Sequence, residues 1–194
     1  MDNGFYYWLL VGLFILDFKV KVMLINKYIP EFQFNEVHKT VVNASAYDAY
    51  RTTMELDLSK SKVTEILFRL RGLPFNNNTF TTINRDMRFT LLEELTYSEF
   101  IYGFWFSTKT EWVVDVNEFI DYSTKYNAKV GWSFCFNERT DGTTEIITET
   151  RVLCLNKTTK FMFSIYWFFI KPFSGLIRLE MLRLIKNKLK NDKI

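Results

Sequence analysis

The chain has 194 residues, 48% of them apolar and 18% aromatic, with 24% charged and a net charge of +3 at neutral pH. That length suits one domain with a substantial core, and the composition excludes a disordered polar chain, a collagen-like repeat and a disulfide-stapled miniprotein. So small a charge excess does not imply a nucleic-acid partner.

Residues 5–16 (FYYWLLVGLFIL) form an uncharged apolar run, followed by Asp17, Lys19 and Lys21. A membrane span takes about 20 mainly apolar residues, and the run reaches that length only by including those charges. No basic residue precedes it and no small-residue cleavage site follows, so it does not read as a secretory signal. Three readings stay open. One is an anchor, with Lys19, Lys21 and Lys27 keeping the domain cytoplasmic. The second is a helix or strand packed on the domain, since Phe18, Val20, Val22 and Leu24 alternate with polar neighbours. The third is translation starting at Met23. Residues 1–28 are accordingly set apart from a domain over residues 29–194.

Pro30 marks the entrance to that domain. Residues 33–43 alternate as a strand, with Phe34, Glu36, His38, Thr40 and Val42 on one face. Ser45 is placed to cap a helix running to about Glu55. A second helix is predicted over residues 59–71, with Val63, Ile66, Leu67 and Leu70 as its apolar face and Gly72-Leu73-Pro74 as its stop. Residues 75–80 read as a loop. From Arg88 onward the period changes, and residues 89–94, 99–106, 111–115, 128–138 and 143–155 read as strands. Asp141-Gly142 is a hairpin signal between the last two, and residues 123–127 are a polar connection. From Lys157 the pattern is helical, with Phe161, Ile165, Phe168, Phe169, Leu176, Leu179 and Leu182 in period. Pro172 should kink or split that helix. The expectation is an α+β fold: a curved antiparallel sheet of six to seven strands around a long carboxy-terminal helix, with two short helices after the first strand. Such a closure leaves an apolar cavity between sheet and helix.

The chemistry-bearing residues are few. Cys135 and Cys154 are far apart and read as reduced, buried hydrophobes. His38 is the single histidine, too little with two distant cysteines for a zinc site, and no G-x-S-x-G, G-x-G-x-x-G or G-x-x-x-x-G-K string occurs. No cofactor or metal is expected. Two same-face pairs are weak catalytic candidates. Glu36 and His38 suit acid–base chemistry, although an exposed ion pair is the reading taken. Glu149 and Arg151 would grip a ligand headgroup if they pointed inward; the apolar set Ile146, Thr148, Val152 and Cys154 favours an outward surface bridge instead.

Particular strings carry a resemblance. They are Glu36-x-His38; Glu55-Leu56-Asp57-Leu58-Ser59-x-Ser61; Phe68-Arg69-Leu70-Arg71-Gly72-Leu73-Pro74; Gly103-Phe104-Trp105; Phe119 ahead of Tyr126-x-Ala128; and Trp132-x-Phe134. Further on come Thr148-Glu149-Thr150-Arg151-Val152, Tyr166-Trp167 and Lys171-Pro172-Phe173-Ser174-Gly175-Leu176-Ile177-Arg178. With the element order, this pattern resembles the START-like (SRPBCC, helix-grip) superfamily of polyketide cyclase/dehydrase and lipid-transport proteins, and within it an uncharacterised bacterial branch. It spans residues 29–190; Val37 departs from it where a basic residue is expected. The resemblance implies a cavity for lipids, sterols or polyketides, with enzymes a minority.

Trp105, Trp112, Trp132, Tyr166 and Trp167 are the candidate cavity-lining residues, with core packing as the alternative for each. Residues 171–194 carry seven basic residues (Lys171, Arg178, Arg183, Lys186, Lys188, Lys190 and Lys193) against Glu180 and Asp192. A solvated helix end is one reading and attraction to an anionic membrane the other; clustering at one end does not suit nucleic acid. The function read from the sequence is binding of a hydrophobic small molecule (a lipid, isoprenoid or polyketide-like compound) near a membrane. An enzyme of cyclase, dehydratase or hydrolase type and a cavity-less interaction protein stay open, as does the oligomeric state.

Overall fold

The fold is taken from a computed structural model, which describes residues 23–70, 79–107, 110–121 and 126–191. In chain order the elements are α1 (Leu24–Tyr28), β1 (Phe34–Val42), α2 (Ala46–Met54), a 3₁₀ turn (Leu58–Lys60), α3 (Lys62–Leu70) and α4 (Phe80–Asp86). Then come β2 (Thr90–Leu95), β3 (Glu99–Phe106), β4 (Thr110–Glu111), α5 (Val116–Asp121), β5 (Ala128–Glu138), β6 (Thr144–Cys154) and α6 (Lys157–Asn191). The six strands form one antiparallel sheet in the order β1-β6-β5-β3-β2, with β4 paired to β3. The curved sheet and the long terminal helix are the α+β architecture expected from the sequence. The apolar run at residues 5–16 lies outside the described residues, as do residues 71–78. Among those described, no helix is long and apolar enough to cross a membrane.

The local signals explain most boundaries. Ser45 accepts the backbone N–H of Asp48 and opens α2. Gly142, at φ +76°, turns the chain between β5 and β6 in a conformation that costs glycine nothing. Two stretches differ from expectation. Residues 111–115 give only the two-residue β4, because Asp115 accepts the N–H of Asn117 and starts α5 instead. Phe80, expected in a loop, opens α4 behind Thr79, whose hydroxyl accepts the N–H of Thr82. The apolar face predicted for α3 is also displaced. Val63 and Ile66 are exposed, and Ser61, Thr64, Leu67 and Phe68 face inward. Ser61 explains the rotation, since its hydroxyl donates to the buried Glu180 of α6 at 2.6 Å.

The sheet buries both faces. On one, Phe100, Tyr102, Trp132, Phe134, Phe136 and Ile146 pack with α2, α4 and α6. On the other, Ile101 and Trp105 pack with α1 and Phe119 of α5. Leu24, Ile25 and Tyr28, assigned in the sequence to a segment outside the domain, are buried in this second layer. Gly103 gives room there, since a Cβ would stand 2.5 Å from the side chain of Leu92, the residue at the register shift between β2 and β3, and would force it to move. Helix α6 runs unbroken through Pro172. Pro172 and Phe168, whose carbonyl loses its partner, both lie on the exposed side.

Lys129 is fully buried in the second layer. Its ammonium donates to the carbonyl oxygens of Phe119 (2.5 Å) and Ile120 (3.4 Å), closing the last turn of α5. Desolvation lowers its pKa from 10.5 to about 8, partly countered by Asp121. Between those values the unfolded chain binds more protons than the folded one, so stability rises with pH and is lost as pH falls through about 8. Burial pushes the Cys154 thiol from 9.0 up to about 11, which acts in the opposite sense only above pH 9. Urea melts are expected to show stability climbing from pH 8 to pH 9, and this climb should vanish in Lys129→Met.

Candidate functional site

The helix and the sheet do not close completely. Between α6 and the strands lies a cavity of about 180 Å³. Its apolar walls come from Phe80, Ile83, Met87 and Phe89 on the α4 side, and from Phe104, Val130, Trp132 and Val152 on the sheet. Phe163, Tyr166, Trp167, Ile170, Ile177 and Met181 close it from α6. Phe89 and Phe104 stack face to face at 4.4 Å, and Phe34 packs against Phe163 and Trp167. The α6 lining runs from Phe163 to Met181, about 27 Å of helix. A groove of about 500 Å³ adjoins the amino-terminal end of α6 and shares Phe106, Phe163 and Tyr166 with the cavity.

Part of the wall of this apolar space is polar. Arg178 lines it with Ser174 and Thr150. The guanidinium donates to Thr150 Oγ1 at 2.5 Å and to the Ser174 carbonyl at 3.1 Å, and also contacts the Ser174 hydroxyl. It stands 5.6 Å from the Trp132 ring centroid. Trp132 itself is held by its indole N–H, which donates to Thr148 Oγ1 at 2.8 Å. Behind the arginine, Glu36 Oε2 is 3.7 Å from Arg178 Nη1, and Glu36 Oε1 is 3.0 Å from His38 Nε2. Both β1 side chains lie under Gly175, where a Cβ would come within 2.5 Å of Glu36 Oε1.

The sequence candidates therefore separate. Trp132, Tyr166 and Trp167 line the cavity. Trp105 does not, because β3 points it to the opposite face, stacked on Tyr126 at 4.6 Å. Trp112 follows the short β4 and is 41% exposed. Glu36 and His38 are not the exposed pair expected, since α6 covers them, yet neither lines the cavity. Glu149 and Arg151 are not a surface bridge either. They lie on the face away from α6, where Arg151 donates to Glu149 Oε1 at 2.7 Å and to the Ile29 carbonyl at 2.9 Å. Phe32 covers the guanidinium at 4.5 Å, so this pair docks residues 29–32 onto the sheet. The residue the sequence reading misplaced is Arg178, counted among the solvated basic residues of the tail. Its signal was Gly175: a glycine inside a helix costs about 1 kcal/mol and marks a close approach.

Cys135 and Cys154 are both buried, and the raised pKa keeps the Cys154 thiol protonated and unreactive near neutral pH. Among the described residues, no group of three or more His, Cys, Asp or Glu side chains could hold a metal ion.

Glu36 and Arg178 depend on each other because both are largely withdrawn from water. Arg178→Met leaves a buried carboxylate opposite an apolar chain and is expected to destabilise the fold by roughly 3–5 kcal/mol. Adding Glu36→Gln should recover part of that loss, a coupling that urea unfolding of the two single variants and the double variant measures.

No protein-family model matches this sequence, and neither does any curated protein. Among solved structures the chain is similar to Ara h 8.0201 at 7% identity, covering 81% of this chain and 98% of that one with a TM-score of 0.36. An uncharacterized protein from Rhizobium leguminosarum gives 9% identity, coverage of 80% and 99%, and a TM-score of 0.34. TTHA0849 from Thermus thermophilus gives 8%, 83% and 100%, and 0.32. At these values the likenesses carry no functional argument, and the architecture rests on the strands and helices described above.

Proposed function

We propose that this chain is a START-like binding module that holds an elongated hydrophobic molecule between its sheet and α6, with the molecule's polar end toward Arg178. The observation that carries this reading is the combination of an apolar cavity and, among the described residues of its wall, a single cationic group. A ligand of uniform polarity would fit such a space badly. An acyl or isoprenoid chain ending in a carboxylate or similar acceptor would fit it well, because guanidinium donors suit planar acceptors. The cavity alone is small for a drug-sized ligand, so the remainder of the chain lies in the adjoining groove. Burying roughly eight methylenes would supply about 6 kcal/mol before ordering costs.

The reading is a non-catalytic one. Neither candidate acid pair borders the cavity, and the groups that do are aromatic, aliphatic or hydroxyl-bearing apart from Arg178.

Native mass spectrometry of the gently purified full chain is expected to show a co-purified apolar molecule. In Ile177→Phe the added ring occupies the cavity, so that molecule should be lost and the affinity for a long-chain fatty acid should fall about tenfold, the equivalent of about two buried methylenes. The melting temperature should hold or rise. A chain that is recovered empty and takes up neither the fatty acid nor the alcohol of the same length would refute the proposal.

A further inference from the structure

Helix α6 is apolar on two opposite sides, and only one is covered. At 3.6 residues per turn, Phe161, Ile165, Phe168, Phe169, Leu176 and Leu179 fall within an arc of about 100°. They extend along about 27 Å of helix, and all six are exposed: Phe161 66%, Phe168 77% and Phe169 63%, the others close to half. Single exposed apolar residues need no explanation, but a continuous aromatic stripe does. A helix apolar all round is normally buried all round. Among the described residues, no element covers this side.

Charge selects the occupant. Helix α6 has eight basic residues and one acid, Glu180, and that acid is buried, accepting from Ser61 and Arg183. Lys157, Lys160 and Lys171 lie along one flank of the stripe, and Lys186 and Lys190 continue its arc toward the carboxy terminus. A second copy pairing through this side would set lysines against lysines. Aromatic rings bordered by lysines, with no acid among them, are the chemistry of a helix lying in the interface of an anionic bilayer.

We propose that the outer side of α6 between Phe161 and Leu179 docks on an anionic lipid surface. Met162 and Tyr166, which line the groove at the cavity mouth, border the stripe, so docking sets that mouth against the lipid. The inference does not depend on the cavity being occupied.

The test is flotation of the full chain with phosphatidylcholine vesicles, with and without phosphatidylglycerol. The chain is expected to float with the phosphatidylglycerol vesicles. Phe168→Glu/Phe169→Glu should weaken this at least about tenfold, with an unchanged circular dichroism melt. Lys160→Gln and Lys171→Gln should each weaken it about fivefold. Should the glutamates disturb folding, Phe168→Ser/Phe169→Ser makes the same comparison. If the phenylalanine variants float like the parent, residues 1–22 do the attaching and the proposal fails. It fails equally if the unmodified chain does not float, whether light scattering then finds a monomer or a dimer.

Discussion

The approach of α6 to β1 at Gly175 sets the geometry of everything around it. At that point the helix backbone comes so near the strand that a methyl group would collide with the Glu36 carboxylate. The contact is polar, with His38, Glu36 and Arg178 in a short chain of side-chain contacts. One turn or more toward the amino terminus, the facing residues are Phe163, Trp167 and Ile170, too large to permit the same approach. Held close at Gly175 and kept apart by rings elsewhere, the helix and the sheet leave space between them.

The sheet is closed on its other face as well. Residues 23–33 and α5 cover Ile101, Trp105 and Gly131, and two buried charges fasten this layer. Arg151 holds the Ile29 carbonyl while paired to Glu149, and Lys129 closes the last turn of α5. Both are withdrawn from water only because each finds carbonyl or carboxylate oxygens within hydrogen-bond range. The strands are consequently buried on both sides, and β3, β5 and β6 read as nearly unbroken buried runs.

Helix α6 then serves two surfaces at once. Its inner side carries the aromatic wall of the cavity and, at Arg178, a cationic group in that wall. Its outer side carries the phenylalanine stripe, which no described element covers. The apolar period visible in the sequence at Phe161, Ile165, Phe168 and Phe169 belongs to the outer side, while the inner side is marked by the less regular set Phe163, Trp167, Ser174 and Met181. An apolar face on each side of one helix cannot be told apart by periodicity, because both repeat every 3.6 residues.

By itself the sequence determined the fold class, the extents of β3 and β5, the start of α6, the capped start of α2 and the hairpin at Gly142, but not the short helices α1, α4 and α5. What it determined follows from short-range rules, namely side-chain alternation, caps and backbone freedom, which act within a few residues. Only the tertiary structure decided which side of each element is buried. It turned Val63 and Ile66 outward because Ser61 bonds to Glu180, and it placed Trp105 away from the cavity. It also buried Glu149 and Arg151 beneath Ile29, and it made Arg178 a cavity residue instead of a solvated one. The turn of α3, the burial of Arg151 and the placing of Arg178 depend on partners 28 to 122 positions away in the chain, and no local pattern encodes contacts at that separation.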